Sequence, residues 1–265
     1  MSDIILEALN LNKTYTQRSG RFGFNTTHIK ALDDVSIQLK QGTTLAVVGE
    51  SGSGKSTLAR CLLQLQPFDY GDVIFQGQHL AQLHKEDLRG VRKHLQMVFQ
   101  DPFASLNPRM RVGEIVGEGL LIHGVGSTAS RIALVHQMLE RVGLTAADAT
   151  KYPHQFSGGQ RQRIGIARAL VLQPKVVICD EPVSALDVSV QAQILLLLKS
   201  LQAEMGLSYI FISHDLRVVR HIANDIVVMH KGKIVEQGAV EDIYTSPQQP
   251  YTQQLLQAIP GRKAA

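Results

Sequence analysis

Tryptophan is absent from the 265 residues, and cysteine occurs only twice, at Cys61 and Cys179. Two thiols cannot build a disulfide framework or a thiolate metal site, which excludes a small secreted scaffold and a zinc module. The longest uninterrupted aliphatic run, Ile194 to Leu198, falls far short of the roughly 20 apolar residues of a membrane-spanning helix. The opening MSDIILEALNLNKTY lacks the basic leader, apolar core and small-residue cleavage site of a secretory signal. Internal repeats, low-complexity tracts and Pro/Ser-rich linkers are missing as well. Charge is modest, at 19% of residues with a net +4, and no long run of one sign occurs. The densest basic spots, Arg92-Lys93 and Arg109 with Arg111, form no stripe of the kind nucleic-acid binding uses. What remains is an intracellular-type globular chain, apolar enough at 44% to bury a sizeable core.

Strand and helix periods alternate along it. Val35, Ile37 and Leu39 alternate with polar residues, the period of a half-exposed strand, and Gly42 turns the chain. Thr44 to Val48 reads as a buried strand running into a Gly-rich loop. Leu58, Cys61, Leu62 and Leu65 then fall on one helical face, which Pro67 ends. From Val112 to Val142 the chain reads helical, with stripes Val112/Ile115/Val116/Ile122 and Ile132/Val135/Leu139/Val142, Ser130 as N-cap and Gly143 as stop. Buried strands return at Val176 to Cys179 and Leu207 to Ser213. Between them lies a long helix with Val190, Ile194, Leu197, Leu198 and Leu201 on one face. Ile226 to Met229 and Lys233 to Gln237 form a hairpin about Lys231-Gly232. Residues 16–29 read as a mobile surface excursion between two strands. This order predicts an α/β parallel core with a helical insert at 101–162.

The chemistry starts in the Gly-rich loop. Gly49-Glu50-Ser51-Gly52-Ser53-Gly54-Lys55-Ser56 fits G-x-x-x-x-G-K-[ST], with a buried strand before it and an amphipathic helix after it. Glycines let the backbone curl until several N–H groups face a phosphate. Lys55 brings a cation to the β- and γ-phosphates, and the Ser56 hydroxyl can ligate Mg²⁺. Such a loop needs a carboxylate at the end of another buried strand. Val176 to Cys179 delivers Asp180 for the metal shell and Glu181 to polarise an attacking water. Ser157-Gly158-Gly159-Gln160 opens a predicted helix, where a Ser hydroxyl and backbone amides make a second anion site. One nucleotide does not need two such sites from one chain, so the second is read as closing over a nucleotide held by another subunit. His214 ends a core strand, where its ring could reach the γ-phosphate. A lone His is ordinarily structural, and its position alone singles this one out.

With these motifs the chain resembles the ATP-binding subunits of ABC transporters over almost its whole length. The resemblance implies one cassette: a P-loop NTPase (RecA-like) core with an antiparallel β subdomain over 1–100 and 163–265, and an inserted α-helical subdomain at 101–162. It implies a Walker A loop from Gly49 to Thr57 and a Walker B carboxylate at Asp180. Glu181 would be the catalytic base and Gln100 the Q-loop glutamine that senses Mg²⁺ and water. Ser157 to Gln160 would be the ABC signature, Ser184 to Asp187 the D-loop, and His214 the switch histidine. Tyr15 is similar to the aromatic residue that stacks on adenine, with ordinary packing as the competing reading. Phe156 stands where the signature usually opens with Leu.

FQDPFASLNPRMRVGEIVGEGL (Phe99 to Leu120) and SPQQPYTQQLLQAIP (Ser246 to Pro260) resemble the oligopeptide, dipeptide and nickel branch of ABC importers. By that resemblance the cofactors are ATP and Mg²⁺. The partners are two membrane-spanning permease subunits, a second identical or related ATPase subunit and, indirectly, an extracytoplasmic substrate-binding protein, with no nucleic acid. The place of work is the cytoplasmic face of the inner membrane. The cargo is a peptide (oligopeptide, dipeptide or antimicrobial peptide), with nickel as the alternative. The rival of another class is a soluble ABC-type ATPase acting on nucleic acid. It should carry tandem cassettes, a coiled coil or a Cys-rich insert, none of which this sequence has.

Overall fold

A computed structural model describes residues 4–19, 25–101 and 103–259. Pro102, Pro260 and residues 20–24, parts of the segments quoted above, lie outside the described residues. In chain order the elements are β1 (Ile4–Ser19), β2 (Asn25–Lys40), β3 (Thr44–Val48), α1 (Lys55–Leu62), β4 (Tyr70–Phe75), β5 (Gln78–His79), α2 (Lys85–Arg92) and β6 (Leu95–Val98). There follow α3 (Val112–Ile122), α4 (Thr128–Arg141), α5 (Gly158–Leu170), β7 (Val176–Asp180), α6 (Val188–Met205) and β8 (Ser208–Ser213). The chain closes with α7 (Leu216–Ile222), β9 (Asp225–His230), β10 (Lys233–Ala239), α8 (Val240–Thr245) and α9 (Pro250–Gln257). Two compact units divide these elements, one from Met1–Leu83 with Ile210–Ala265 and the other from His84–Tyr209. Among the described residues no helix is long and apolar enough to cross a membrane.

The first unit holds an antiparallel sheet in the order β2-β1-β4-β5. The β1/β2 pairing runs from Ile4↔Lys40 to Ser19↔Asn25, so residues 16–19 and 25–29 extend the two strands rather than forming an excursion. Thr14, Thr16, Thr27 and Ile29 supply the β-branched residues that favour pairing here, although the polarity of the three threonines conceals it from a hydrophobicity reading. Leu6, Ala8, Leu11, Leu32, Val35, Ile37 and Leu39 bury the inner faces. Beside this sheet, β3 is buried at all five positions and pairs parallel with β9, which carries β10 antiparallel on its other edge. α1 stops at Leu62, because Leu63 caps it and Gln64 turns left-handed at φ 52°. Leu65 therefore leaves the helical face on which the sequence pattern puts it and is 54% exposed.

In the second unit β6 and β7 pair in parallel, from Leu95↔Val176 to Val98↔Cys179. Helices α3, α4 and α5 pack around one another. Gly117 permits the approach of α3 to α4, since a Cβ there would stand 3.2 Å from Val135, while Gly113 and Gly119 let α3 lie against the Ala149 carbonyl oxygen and Leu172, 3.1 and 3.0 Å from a built Cβ. The N-cap of α4 is Ser127, not Ser130: the Ser127 hydroxyl accepts from the Ser130 amide at 3.2 Å, which places Ser130 inside the first turn. Gly143 stops α4 as expected, with φ 77° and its amide donating to the Glu140 carbonyl at 2.9 Å. α6 buries Ile194, Leu195, Leu198 and Leu201, while Val190 and Leu197 are only half-buried.

Candidate active site

In the first unit, β3 ends in the phosphate loop. Gly49, Gly52 and Gly54 have φ of 149°, 80° and 108°, conformations that L side chains rarely adopt. A Cβ at Gly49 would lie 2.1 Å from the Met229 carbonyl oxygen, and one at Gly54 would lie 2.3 Å from that of Ala31. The loop is thus wedged between β2 and β9 with no room for a side chain at Gly49 or Gly54, so bare backbone lines it at those two points. Lys55, 5% exposed, lies inside it and donates to the Gly49 and Glu50 carbonyls at 2.8 Å each. This ammonium is already desolvated and can exchange two neutral carbonyls for phosphate oxygens, which bind a cation more strongly. Ser53 is buried and Ser51 exposed, whereas Ser56 and Thr57 are half-buried on the first turn of α1. That turn has no acidic residue to compete with an anion at its N-terminus.

Tyr15, on β1, brings its hydroxyl to 3.5 Å from the Thr57 hydroxyl, with the Lys13 ammonium 5.9 Å from its ring centre. The ring is therefore held at the edge of the loop. His214 is exposed and follows the last residue of β8. Asp215 next to it caps α7 and accepts from Arg217. That hydrogen bond holds the Asp215 carboxyl below its ordinary value, opposed in part by burial. One neighbour of the loop comes from the C-terminal Pro250-Tyr251-Thr252 segment, to which the sequence reading gave no part in the site: the hydroxyl of Tyr251, on α9, accepts from the Glu50 amide at 3.2 Å.

In the second unit, β7 carries Asp180, 5% exposed, and Glu181 beyond it. Burial pushes the Cys179 thiol up to about 12, so it is an inert core residue. Glu181 sits at φ 46°, a sparsely populated conformation for a non-Gly residue that re-aims its side chain at the strand end. The Gln100 amide donates to its carboxylate at 3.1 Å, so the structure brings these two together across 81 residues. The Ser157 hydroxyl accepts from the Gln160 amide at 3.3 Å, and the Gln160 side chain accepts from the Ser157 amide at 3.0 Å. This capping box fixes the start of α5, leaves Ser157 and Gln160 exposed, and has no acid in the first turn.

Gly158 abuts the segment ahead of α6, and Gly159 abuts the first turn of α6 itself. A Cβ on them would meet Leu186 at 3.5 Å and Val190 at 2.6 Å. Asp187 is the exposed N-cap residue of α6. Gln191 steadies that turn by donating to the Val183 and Leu186 carbonyls, a role outside any motif. Phe156 is buried at 6% exposure with the Lys151 ammonium 5.7 Å from its ring centre, while Ser157 next to it is exposed. Arg161 donates to the Phe156 carbonyl and lies 4.1 Å over the Phe103 ring. Ser56, Gln100 and Asp180 are all hard oxygen donors, the kind Mg²⁺ takes alongside nucleotide phosphates.

A phosphate loop between a buried strand and a helix, with paired acids ending a second parallel strand, defines a P-loop nucleotide hydrolase. Residues 32–184, more than half of the chain, match the ABC transporter family, and the chain belongs to that family. It is 50% identical over 259 residues to the oligopeptide transport ATP-binding protein AppF of Bacillus subtilis, covering 97% of this chain and 79% of the relative. It is 51% identical over 256 residues to the dipeptide transport ATP-binding protein DppF of Escherichia coli, with 97% and 76% covered. Among solved structures, the ATP-binding cassette MJ0796, dimeric and bound to ADP and phosphate after hydrolysis, superposes with a TM-score of 0.77. It is 30% identical, with 89% of this chain and 99% of that one covered. The cassette cbiO1 of Clostridium perfringens gives 0.79 at 29% identity, with 92% of each covered. The fold is that of the P-loop ABC cassette, mixed α/β with an antiparallel sheet, and the chain is an ATPase that uses ATP.

Proposed function

We propose that this ATPase drives the import of peptides through partner membrane subunits. One observation carries the cargo class: at about half identity the chain follows oligopeptide- and dipeptide-transport ATP-binding proteins through 97% of its length. In this reading the amides of Gly49 to Gly54 and the Lys55 ammonium take the β- and γ-phosphates, while Thr57 and Tyr15 border the rest of the nucleotide. Mg²⁺, held by Ser56, Gln100 and, through water, Asp180, supplies positive charge to the phosphate oxygens when bound. Glu181, oriented by Gln100, accepts a proton from the attacking water. The water oxygen bonds to the γ-phosphorus, the bond to the β–γ bridging oxygen breaks, and ADP and phosphate result. His214 contacts the γ-phosphate.

Ser157, Gly158, Gly159 and Gln160 close over the nucleotide of a second ATPase subunit, identical or related, with Asp187 at the same junction. Positioning and charge stabilisation, rather than covalent chemistry, supply most of the rate. The helical insert 101–162 is the part that receives a permease subunit. Support comes from the groove of about 570 Å³ between α3 and α4, lined by Gly117, Leu121, Ile132, Val135 and His136. Leu121 and Ile132 stay 65% and 52% exposed beside it. The cassette then works against the cytoplasmic face of the inner membrane, with an extracytoplasmic binding protein delivering cargo to the permease pair.

The test is uptake of labelled dipeptides and oligopeptides by cells lacking this gene, complemented with wild type or Glu181→Gln. Wild type should restore uptake and the variant should not. Intact peptide uptake with lost nickel uptake would shift the assignment to the metal. Salt-sensitive stimulation of ATP hydrolysis by DNA would shift it to another class.

A further inference from the structure

We infer that Tyr251 is a positioning residue of the phosphate loop, and that the docking of α9 through it sets the affinity for the nucleotide. The inference rests on reading Gly49 to Thr57 as the ATP phosphate site. The Glu50 amide donates to the Tyr251 hydroxyl at 3.2 Å, a contact spanning 201 residues of sequence. The Glu50 carbonyl accepts from the buried Lys55 ammonium at 2.8 Å, so the residue Tyr251 anchors is also one that parks the phosphate-binding cation.

The phenol is itself firmly held. Its ring packs on His230 with centroids 4.0 Å apart and planes at 44°. His230 ends β9 next to Met229, whose carbonyl oxygen is the atom a Cβ at Gly49 would strike. The amides of Gln248 and Gln249 donate to the Glu236 carboxylate on β10 at 2.7 and 3.1 Å, which fixes the entry to α9. Thr252 and Leu256 bury the inner face of that helix at 1% exposure each. Burial pushes the Tyr251 phenol above its ordinary value, opposed by the hydrogen bond from the Glu50 amide and aided by the Glu50 charge, so it remains a neutral hydroxyl. The Gly232 amide holds the loop from a second point, donating to the Ser53 carbonyl at 3.0 Å. The loop's entry is therefore framed by the β9–β10 hairpin and by one side chain of the C-terminal helix. The Pro-Tyr-Thr segment thereby acquires a role in nucleotide binding.

Tyr251→Phe in the full chain keeps the ring on His230 and removes only the oxygen. In the nucleotide-free protein, amide hydrogen exchange across residues 49–57 should quicken. By calorimetric titration the Kd for MgATP should rise about three- to tenfold, the scale of one net hydrogen bond. The KM for ATP should follow it, with kcat at saturating ATP within about twofold of wild type and Tm within about 1 °C. Tyr244→Phe, which loses the bond from its hydroxyl to the Leu216 carbonyl, should instead lower Tm and leave the Kd alone. Unchanged loop exchange and unchanged Kd in Tyr251→Phe would overturn the inference. So would a fall in Tm with no change in KM, the mark of a packing role only. If the wild-type chain failed to bind MgATP, the reading of the site itself would fall, and loop exchange would still decide whether Tyr251 braces the loop.

Discussion

Adding a single methyl at Gly49 and at Gly52 separates two costs that the phosphate loop carries. Gly52 has φ 80° and open space within 4 Å of a built Cβ, so Gly52→Ala costs only the backbone strain. That strain is about 1 kcal/mol for a residue forced toward the left-handed region. Gly49 has φ 149°, and its Cβ would stand 2.1 Å from the Met229 carbonyl oxygen and 2.8 Å from the Ser53 hydroxyl. Normal contact needs about 1 Å more than that. The relief must come from pulling the end of β3 away from β9, where Val47 and Val48 pair with Val227 and Val228. Overpacking of this kind costs about 1–3 kcal/mol beyond the strain.

The expected total for Gly49→Ala is therefore about 2–4 kcal/mol, a large share of the about 5–15 kcal/mol that holds a protein folded. At about 2–4 °C of Tm per kcal/mol, Gly52→Ala should lose about 2–4 °C and Gly49→Ala about 5–15 °C. Differential scanning calorimetry of the nucleotide-free variants measures both. Equal losses in the two variants, or a loss below about 2 °C at Gly49, would refute the claim that the Met229 carbonyl enforces this glycine beyond the demand of the backbone angle.

Three further outcomes are expected. Glu181→Gln should keep MgATP binding, lower phosphate release by at least about a hundredfold and accumulate an ATP-bound dimer on gel filtration; near-normal turnover would remove Glu181 as the base. Ser157→Ala loses the cap on the Gln160 amide, so Tm should fall by about 2–4 °C for about 1 kcal/mol, while the Kd for ATP on the variant's own phosphate loop stays unchanged in the monomer. The Asp215 carboxyl is held down by Arg217, so its stabilisation is complete above the unfolded value and is lost as pH falls through the lower folded one. The Tm gap between wild type and Arg217→Met should hold steady above pH 3.8 and close below it, whereas a gap that widens in acid would reverse the sign of that argument.

The parts of the site legible in the sequence are those made by neighbours along the chain. The phosphate loop, the acids ending β7 and the Ser157 cap of α5 each occupy a few consecutive residues. Their chemistry follows from backbone freedom, strand period and capping, all of which are local. The same logic misplaced the cap of α4 by three residues, because Ser127 and Ser130 are equally good capping residues and only the left-handed Gly126 before them settles which one turns the chain. It missed the length of the β1/β2 hairpin because pairing, not hydrophobic alternation, keeps residues 16–19 and 25–29 extended.

Other features were beyond any local reading. Gln100 meets Glu181 across 81 residues and Tyr251 meets Glu50 across 201, and no pattern in the intervening sequence encodes either contact. The sequence by itself determined which backbone could hold a phosphate, since glycine spacing and one lysine are properties of the chain. Tertiary structure decided what holds that backbone in place. The bracing atoms are carbonyls and side chains of distant strands and of the last helix, brought to the loop by the burial of β3 beside β9 and of Thr252 and Leu256 beneath α9.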